Sequence, residues 1–403
     1  MGAVTGGNGS TGGSTGSESG EARTGDERER PSRNAGADGT IGETRRSVLR
    51  SIAHGSVAGG VAGLYGAVRP GDNTVDVVYA LTHPGDDPWE LTERRRTVPE
   101  PWLTGVERAF EANARLADAN IAGLLGSFVV PGDEADPTAT LGVELQNETV
   151  IDEIRPLVDG VDLTVSTLDE IPPRDDEVDD DPVQVVDTDE DDIPGGVQCA
   201  AGDSIGSLTP ALYDPGQGET LFGTSNHVFG GDGEDHRGAS LDLVAADGNR
   251  REIGTVRRGH ARSDLIVARP VDGIRPTSAI VDADPEVVTG QFTRIGLADL
   301  AARGEPVEKV GGTTGHTEGT IEGVDGVTAF YDPVPKIGQL KWGSQDDMSD
   351  GDSGSVAYAT DPHGEDGGLL VAGMNNARTW WPGSDYVWGT AAHQLRSAHG
   401  YRF

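Results

Sequence analysis

Residues 351 to 355 read Gly351-Asp352-Ser353-Gly354-Ser355 and contain the most informative serine of the chain. Two upstream segments complement it: Thr224-Ser225-Asn226-His227-Val228 and Ser263-Asp264-Leu265-Ile266-Val267. A serine hydroxyl is a poor nucleophile at neutral pH, so it needs an imidazole to take its proton and a carboxylate to hold that imidazole. It also needs backbone N–H groups that stabilise a developing oxyanion. The three segments supply one group of each kind.

The local context of each segment favours this chemistry. A strand pattern at 221–224 leads into His227, the apolar run 265–268 follows Asp264, and Val356-Ala357-Tyr358 follows the serine loop. Gly-Asp-Ser-Gly on its own is more often a simple turn, because these residues dominate turns. The prediction therefore depends on the joint occurrence of the three segments.

The order along the chain is His, Asp, Ser, with His227 lying 37 residues before Asp264 and Asp264 lying 89 residues before Ser353. The pattern resembles the trypsin-like (chymotrypsin, PA-clan, S1-type) serine peptidases, in which the corresponding gaps are about 45 and about 93 residues. An α/β-hydrolase would need Gly-x-Ser-x-Gly and the order Ser, Asp, His. That alternative is weak, since position 355 is serine.

The resemblance implies a role for each residue of the three motifs. It makes His227 the general base, Asp264 its orienting carboxylate and Ser353 the nucleophile. The N–H groups of Gly351 and Ser353 would form the oxyanion hole, and Asp352 would be a buried structural acid.

The resemblance covers residues 196–403 and implies an all-β, chymotrypsin-like double barrel for them. The pattern agrees, because short β-type runs alternate with Gly, Pro and Asp turns, and no long helical period occurs before 391–399. We expect two six-stranded barrels and a terminal helix. The segment 310–319, Val-Gly-Gly-Thr-Thr-Gly-His-Thr-Glu-Gly, is similar to a strand that precedes the nucleophile loop in prokaryotic members.

Candidates for the substrate pocket are Asp347, Met348 and the residues near Met374-Asn375-Asn376, on the strand expected to follow the nucleophile loop. Asp347 lies six residues before Ser353, where trypsin-like enzymes that cut after Arg or Lys carry their pocket carboxylate, and Met348 is a second pocket candidate. Coincidence is the stronger interpretation of Asp347 in so acidic a chain. No cofactor or metal site is predicted, because Cys199 is the single cysteine and no EF-hand spacing occurs.

Composition indicates a halophilic, haloarchaeal source with an acidic surface. The net charge is −37, and only three lysines occur among the 31 basic residues. Such an excess of carboxylates is tolerated where molar salt screens repulsion beyond about 3 Å. Nucleic acid is disfavoured as a partner, since phosphate contacts need clustered Lys and Arg.

The first 70 residues contain two predicted segments. Residues 1–43 are rich in Gly, Ser, Thr and acids, a composition typical of a disordered tail. Residues 44–70 begin with Thr44-Arg45-Arg46 and continue into a Gly/Ala/Val stretch, which resembles a twin-arginine signal and predicts export. The alternative is a flexible segment on a cytoplasmic protein. No run is long enough to predict an integral membrane span.

Residues 71–170 predict a small α+β domain before the double barrel. Strand patterns at 75–81, 124–130, 139–145 and 161–168 combine with helical patterns at 100–119 and 149–158. The order β-α-β-β-α-β matches a ferredoxin-like motif. We interpret it as a pro-region that contacts the protease domain, with a passive interaction domain as the alternative. Residues 171–195 form an acidic, proline-containing linker.

Together these features predict a serine endopeptidase that acts on peptide or protein substrates. Two alternatives remain open. One is a catalytically silent PA-fold scaffold that holds a peptide in its cleft. The other is a cytoplasmic regulatory or self-processing protease.

Overall fold

The computed structural model describes residues 73–83, 87–133, 136–168, 191–231, 236–330, 334–362, 367–379 and 385–403. The predicted tail (1–43), the predicted signal (44–70) and residues 171–190 of the predicted linker lie outside the described residues. Within the described ranges, no helix is both long and apolar enough to cross a membrane.

Strands dominate the described chain, as the sequence pattern predicts. They are β1 (Thr74–Thr82), β2 (Thr92–Pro99), β3 (Leu124–Val130), β4 (Thr140–Leu145), β5 (Asp162–Thr167), β6 (Asp192–Gly195), β7 (Gln198–Ala201), β8 (Ser204–Ser207), β9 (Leu212–Asp214), β10 (Glu219–Ser225), β11 (Ser240–Val244), β12 (Arg250–His260), β13 (Leu265–Pro270), β14 (Arg275–Ile280), β15 (Val288–Phe292), β16 (Pro306–Gly311), β17 (Gly315–Thr328), β18 (Lys336–Trp342), β19 (Val356–Thr360), β20 (Leu369–Arg378) and β21 (Val387–Ala391). The α-helices are α1 (Glu100–Ala119), α2 (Ile151–Ile154), α3 (Arg294–Ala302) and α4 (Ala392–His399).

The first sheet of the C-terminal half has seven antiparallel strands in the order β8-β7-β11-β12-β13-β10-β9. Its inward side chains, among them Cys199, Phe222, Leu241 and Ile253, form one buried cluster. Burial also raises the pKa of the Cys199 thiol to about 12, so this cysteine serves as a core residue. The sheet has one strand more than the six we expected.

The second sheet contains a closed ring of six strands. The ring runs β16-β17-β18-β21-β20-β19 and returns to β16, with antiparallel pairing at every step. Closure leaves no free strand edge within the ring. A cluster of buried side chains then joins the two sheets, with Leu221 and Leu265 from the first and Val356 and Met374 from the second.

A separate ferredoxin-like domain before these sheets is not confirmed. The hairpin β1-β2 pairs through β1 with β15, whereas β3, β4 and β5 extend the second sheet through β17. The strands of 74–167 are therefore two extensions of one 12-stranded sheet, because the edges of β15 and β17 offer them partners. Helix α1, which matches its predicted range, packs its apolar face into the core that both halves share.

Two further local expectations differ from the structure. Strand β2 was not predicted, since its sequence Thr-Glu-Arg-Arg-Arg-Thr-Val-Pro is polar, as suits a sheet edge. The last residues of the predicted linker form β6, which pairs in parallel with β14. Ile193 of β6 packs into the buried cluster of the seven-stranded sheet.

Candidate active site

The structure brings His227, Asp264 and Ser353 together at the junction of the two sheets. Atom Nδ1 of His227 lies 2.7 Å from Oδ2 of Asp264, and Nε2 of the same ring lies 2.9 Å from Oγ of Ser353. Both distances are within hydrogen-bonding range. Because an ionised carboxylate only accepts, Nδ1 carries the hydrogen and Nε2 is left to accept from the serine hydroxyl.

His227 is positioned by a short 3₁₀ turn, Asn226–Phe229, at the end of β10. Its backbone N–H donates to Oδ1 of Asp264 at 2.9 Å, while its ring donates to the other carboxylate oxygen. One carboxylate therefore fixes both the backbone and the ring of the histidine. The ring keeps 19% of its surface exposed, which leaves an approach for a substrate.

Asp264 ends a second 3₁₀ turn, Ala261–Ser263, in a left-handed conformation with φ of 46°, and β13 follows it. Its carboxylate is buried and also accepts from Nζ of Lys336 at 2.9 Å. Burial alone would raise the pKa of Asp264, but the charges of His227 and Lys336 and their hydrogen bonds outweigh that cost and hold the pKa far below its ordinary value. The carboxylate is thus held in its ionised form.

Two glycines set the conformation of the loop that carries Ser353. Gly351 has φ of 94° and Gly354 has φ of 100°, backbone conformations that residues with a Cβ rarely adopt. A Cβ at Gly351 would lie 2.2 Å from Oγ1 of Thr313, and a Cβ at Gly354 would lie 2.2 Å from the carbonyl oxygen of Ser207. Sterics as well as φ therefore require glycine at both positions.

Two carbonyl groups of the nucleophile loop accept hydrogen bonds from Ser207 at the end of β8. Ser207 donates its N–H to the carbonyl of Ser353 at 2.8 Å and its Oγ to the carbonyl of Gly351 at 2.7 Å. Within the described part of the chain, the N–H groups of Gly351 and Ser353 donate to no other residue. These are the two amides that the sequence predicted for an oxyanion hole.

Asp352 is a structural acid under the loop, as predicted. Its fully buried carboxylate accepts from the N–H groups of Thr313, Thr314 and Ser349, from the Thr314 hydroxyl and from Nζ of Lys309. The Thr-Thr pair comes from the segment 310–319 that the sequence singled out. Burial lowers the pKa of Lys309, and the nearby Asp352 opposes that change.

Two of the predicted pocket residues are engaged elsewhere. Oδ2 of Asp347 accepts from the N–H of Ser344 at 2.7 Å and from its Oγ at 3.0 Å, so the carboxylate caps its own 3₁₀ turn. The Met348 side chain is buried in the shared core, and its carbonyl accepts from Nη1 of Arg378 at 3.1 Å. A pocket role for Asp347 and Met348 stays a prediction.

Sequence reasoning missed Lys336, Lys309 and Arg378. The first two carried a signal, because lysine occurs only three times in the chain. No pattern pointed to Arg378. In the described ranges no group of three or more His, Cys, Asp or Glu side chains is arranged to hold a metal ion.

Comparison with solved structures gives chymotrypsin-like serine proteases. Thermobifida fusca protease A is 19% identical over 52% of this chain and 97% of its own, with a TM-score of 0.39. Cellulomonas bogoriensis chymotrypsin is 19% identical over 53% of this chain and 98% of its own, with a TM-score of 0.38. A glutamic acid-specific serine protease described as using a histidine triad in substrate binding is 18% identical over 52% of this chain and 99% of its own, with a TM-score of 0.38.

No protein-family model matches the chain, and no curated protein matches it either.

Proposed function

We propose that the chain is a serine endopeptidase that hydrolyses peptide bonds in peptide or protein substrates. The observation that carries this proposal is the hydrogen-bonded path from Oγ of Ser353 through His227 to Asp264, with contacts of 2.9 and 2.7 Å. This path supplies a base for the hydroxyl and a fixed anion behind the base, which is what nucleophilic catalysis by serine requires.

The reaction follows from this arrangement. Oγ of Ser353 forms a bond to the substrate carbonyl carbon while Nε2 of His227 takes the hydroxyl proton. His227 then gives the proton to the leaving amine, the C–N bond breaks, and an acyl-enzyme remains. Water, deprotonated by the same imidazole, releases the acid product and restores the serine. Asp264 stays ionised throughout and stabilises the imidazolium.

The amides of Gly351 and Ser353 would stabilise the tetrahedral intermediate. They belong to a loop whose carbonyls are fixed by Ser207 and whose acid, Asp352, is fully bonded, so the N–H groups need little reorganisation. Loss of one such donor in comparable enzymes costs about 10²–10³ in turnover.

The proposal extends to the biological setting of the enzyme. The haloarchaeal source and the acidic surface rest on the net charge of −37, and export rests on the twin-arginine-like segment 44–70. The pairing of β1 with β15 and of β3 with β17 supports an intramolecular contact of residues 74–167 with the protease part. A cytoplasmic, self-processing protease is the alternative setting.

A fluorophosphonate probe tests the function in concentrated salt. Mass spectrometry should find one adduct, on the peptide that contains Ser353, in the wild type and in the control Ser397→Ala, whose serine lies on the exposed face of α4. Ser353→Ala should carry none. Folded wild type without an adduct would favour the silent scaffold. The same spectra report whether the chain is cut near the end of the segment 44–70 or in the linker 171–195.

A further inference from the structure

The three lysines of the chain share one environment. All are buried, and each donates its ammonium group to a carboxylate: Lys309 to Asp352, Lys336 to Asp264 and Lys341 to Glu144. Every other basic residue apart from histidine is arginine. Lysine is a compact point charge with three donors, whereas arginine is a planar fork. The chain thus uses lysine only where a carboxylate must be held inside the fold.

Lys336 holds the carboxylate that orients His227. It is the first residue of β18, and its side chain is only 11% exposed. Its Nζ donates to Oδ2 of Asp264 at 2.9 Å, and that same oxygen accepts from Nδ1 of His227 at 2.7 Å. Because one oxygen bonds both nitrogens, the ammonium group lies within about 6 Å of the imidazole, a range in which charges change ionisation strongly.

We propose that Lys336 is a positioning residue of the catalytic site: it holds the same oxygen of Asp264 that accepts from His227, and its charge disfavours protonation of the imidazole. The catalytic consequence rests on the proposed function. A lysine cation beside the carboxylate weakens the attraction of that carboxylate for imidazolium.

Other groups around the turn do not provide the same charge. Nε2 of His399 lies 2.9 Å from Oγ of Ser263, the residue before Asp264. The ring of His260 packs on that of His399, with ring centroids 3.9 Å apart. Burial, followed by the charge of His399, lowers the pKa of His260 to about 3. Burial, followed by the charge of Arg258, also lowers the pKa of His399.

Arg262 lies on the turn itself but is exposed to solvent. Among the described side chains, the His227 ring and the Lys336 ammonium group donate to Oδ2 of the Asp264 carboxylate. Lys336 is thus the cation from β18 that faces the carboxylate, and its effect is separable by substitution.

The test is the pH dependence of probe labelling at Ser353 in wild type, Lys336→Met, Lys336→Gln and Lys336→Arg. The acid limb is the part of the pH–rate profile in which the labelling rate falls as the pH is lowered. We expect Lys336→Met and Lys336→Gln to move this acid limb to higher pH by about 1–2 pH units. Arg keeps the charge and should restore the wild-type limb. A purely structural role would lower the rate equally at all pH values. The same acid limb in Met, Gln and wild type would overturn the proposal.

A matched control removes a buried lysine that does not contact the site. The pair Lys341→Met with Glu144→Gln deletes an ion pair of the same kind and should leave the acid limb unmoved.

A second measurement separates this inference from the proposed function. In a Ser353→Ala background, NMR of the His227 ring follows proton uptake with no activity needed, and adding Lys336→Met should raise the midpoint of that titration by a similar amount. If the wild type is never labelled but the midpoint moves, the function fails and the role of Lys336 stands. An unmoved midpoint refutes that role.

Discussion

Two buried lysine–carboxylate pairs, one at the nucleophile loop and one at the N-terminal strands, differ in how many hydrogen bonds the carboxylate accepts. Asp352 accepts five hydrogen bonds, one of them from Lys309 at 3.1 Å. Glu144 accepts from Nζ of Lys341 at 2.8 Å, and its second oxygen is buried without a partner in the described chain. Both pairs are nearly inaccessible to solvent.

The compensation for the second pair comes from aromatic rings. The Lys341 ammonium group lies 3.9 Å from the ring centroid of Phe128 and 3.7 Å from that of Tyr386. Cation–π contacts of a desolvated lysine stabilise it but impose little directional constraint. The difference shows that a buried carboxylate has all its hydrogen-bond partners where it must hold backbone amides in one orientation. Packing suffices where one strand simply joins a sheet.

Lys309→Met should produce the larger loss, because it leaves the Asp352 charge buried without a counter-ion. Breaking such a pair costs about 3–5 kcal/mol of unfolding free energy. Because Asp352 fixes the nucleophile loop, labelling of Ser353 should also become slow in the fraction that still folds. Chemical denaturation in molar salt combined with probe labelling measures both effects. Unchanged stability and labelling would contradict the structural role of Asp352.

Lys341→Met also leaves a buried carboxylate without its counter-ion, so it should fall at the lower end of about 3–5 kcal/mol. The cost is lower than for Lys309→Met because one hydrogen bond is lost instead of two, and methionine keeps favourable contacts with the aromatic rings. Replacing both partners, with Glu144→Leu added, should return the stability to within about 1 kcal/mol of wild type. Urea unfolding of the single and double variants gives the comparison. Equal costs for Lys309→Met and Lys341→Met would remove the distinction between the two regions.

His393 on α4 has the smallest effect on stability near neutral pH, and it gives a pH dependence of known sign. Burial, reinforced by the charge of Arg294, lowers its pKa from 6.5 to about 3. Between these values the unfolded chain binds a proton that the folded chain does not, so stability falls as the pH is lowered through this window. The contribution is at most about 1.4 kcal/mol per pH unit.

The check is the slope of unfolding free energy against pH in wild type, His393→Gln and the same-helix control Ser397→Ala. Glutamine should flatten the slope, and the serine variant should not. A slope that His393→Gln leaves unchanged would show that another group is responsible.

The sequence predicted the residues whose positions depend on local turns. Each of the three catalytic candidates, His227, Asp264 and Ser353, lies next to a recognisable strand. The two glycines Gly351 and Gly354 indicate a loop with positive φ that favours glycine. Helix α1 was equally clear, because its apolar residues recur with helical period. In all these cases the information is contained in a few neighbouring residues.

The remaining features depend on tertiary contacts that no local pattern contains. Lys336 contacts Asp264 across 72 positions of sequence, and β1 pairs with β15, which lies far along the chain. The ferredoxin-like order could be read from residues 71–170, but the order of elements does not specify which edges pair. Asp347 was singled out by spacing alone, whereas its own turn takes up its carboxylate.

The most direct measurement of the central claim is the rate at which the probe acylates Ser353 in wild type and in His227→Ala, both folded in molar salt. The account predicts rapid, single-site labelling of the wild type and a loss on the order of 10⁶ when the imidazole is removed. Equal labelling of the two proteins would contradict it, because Ser353 would then react without the base that the structure places 2.9 Å away.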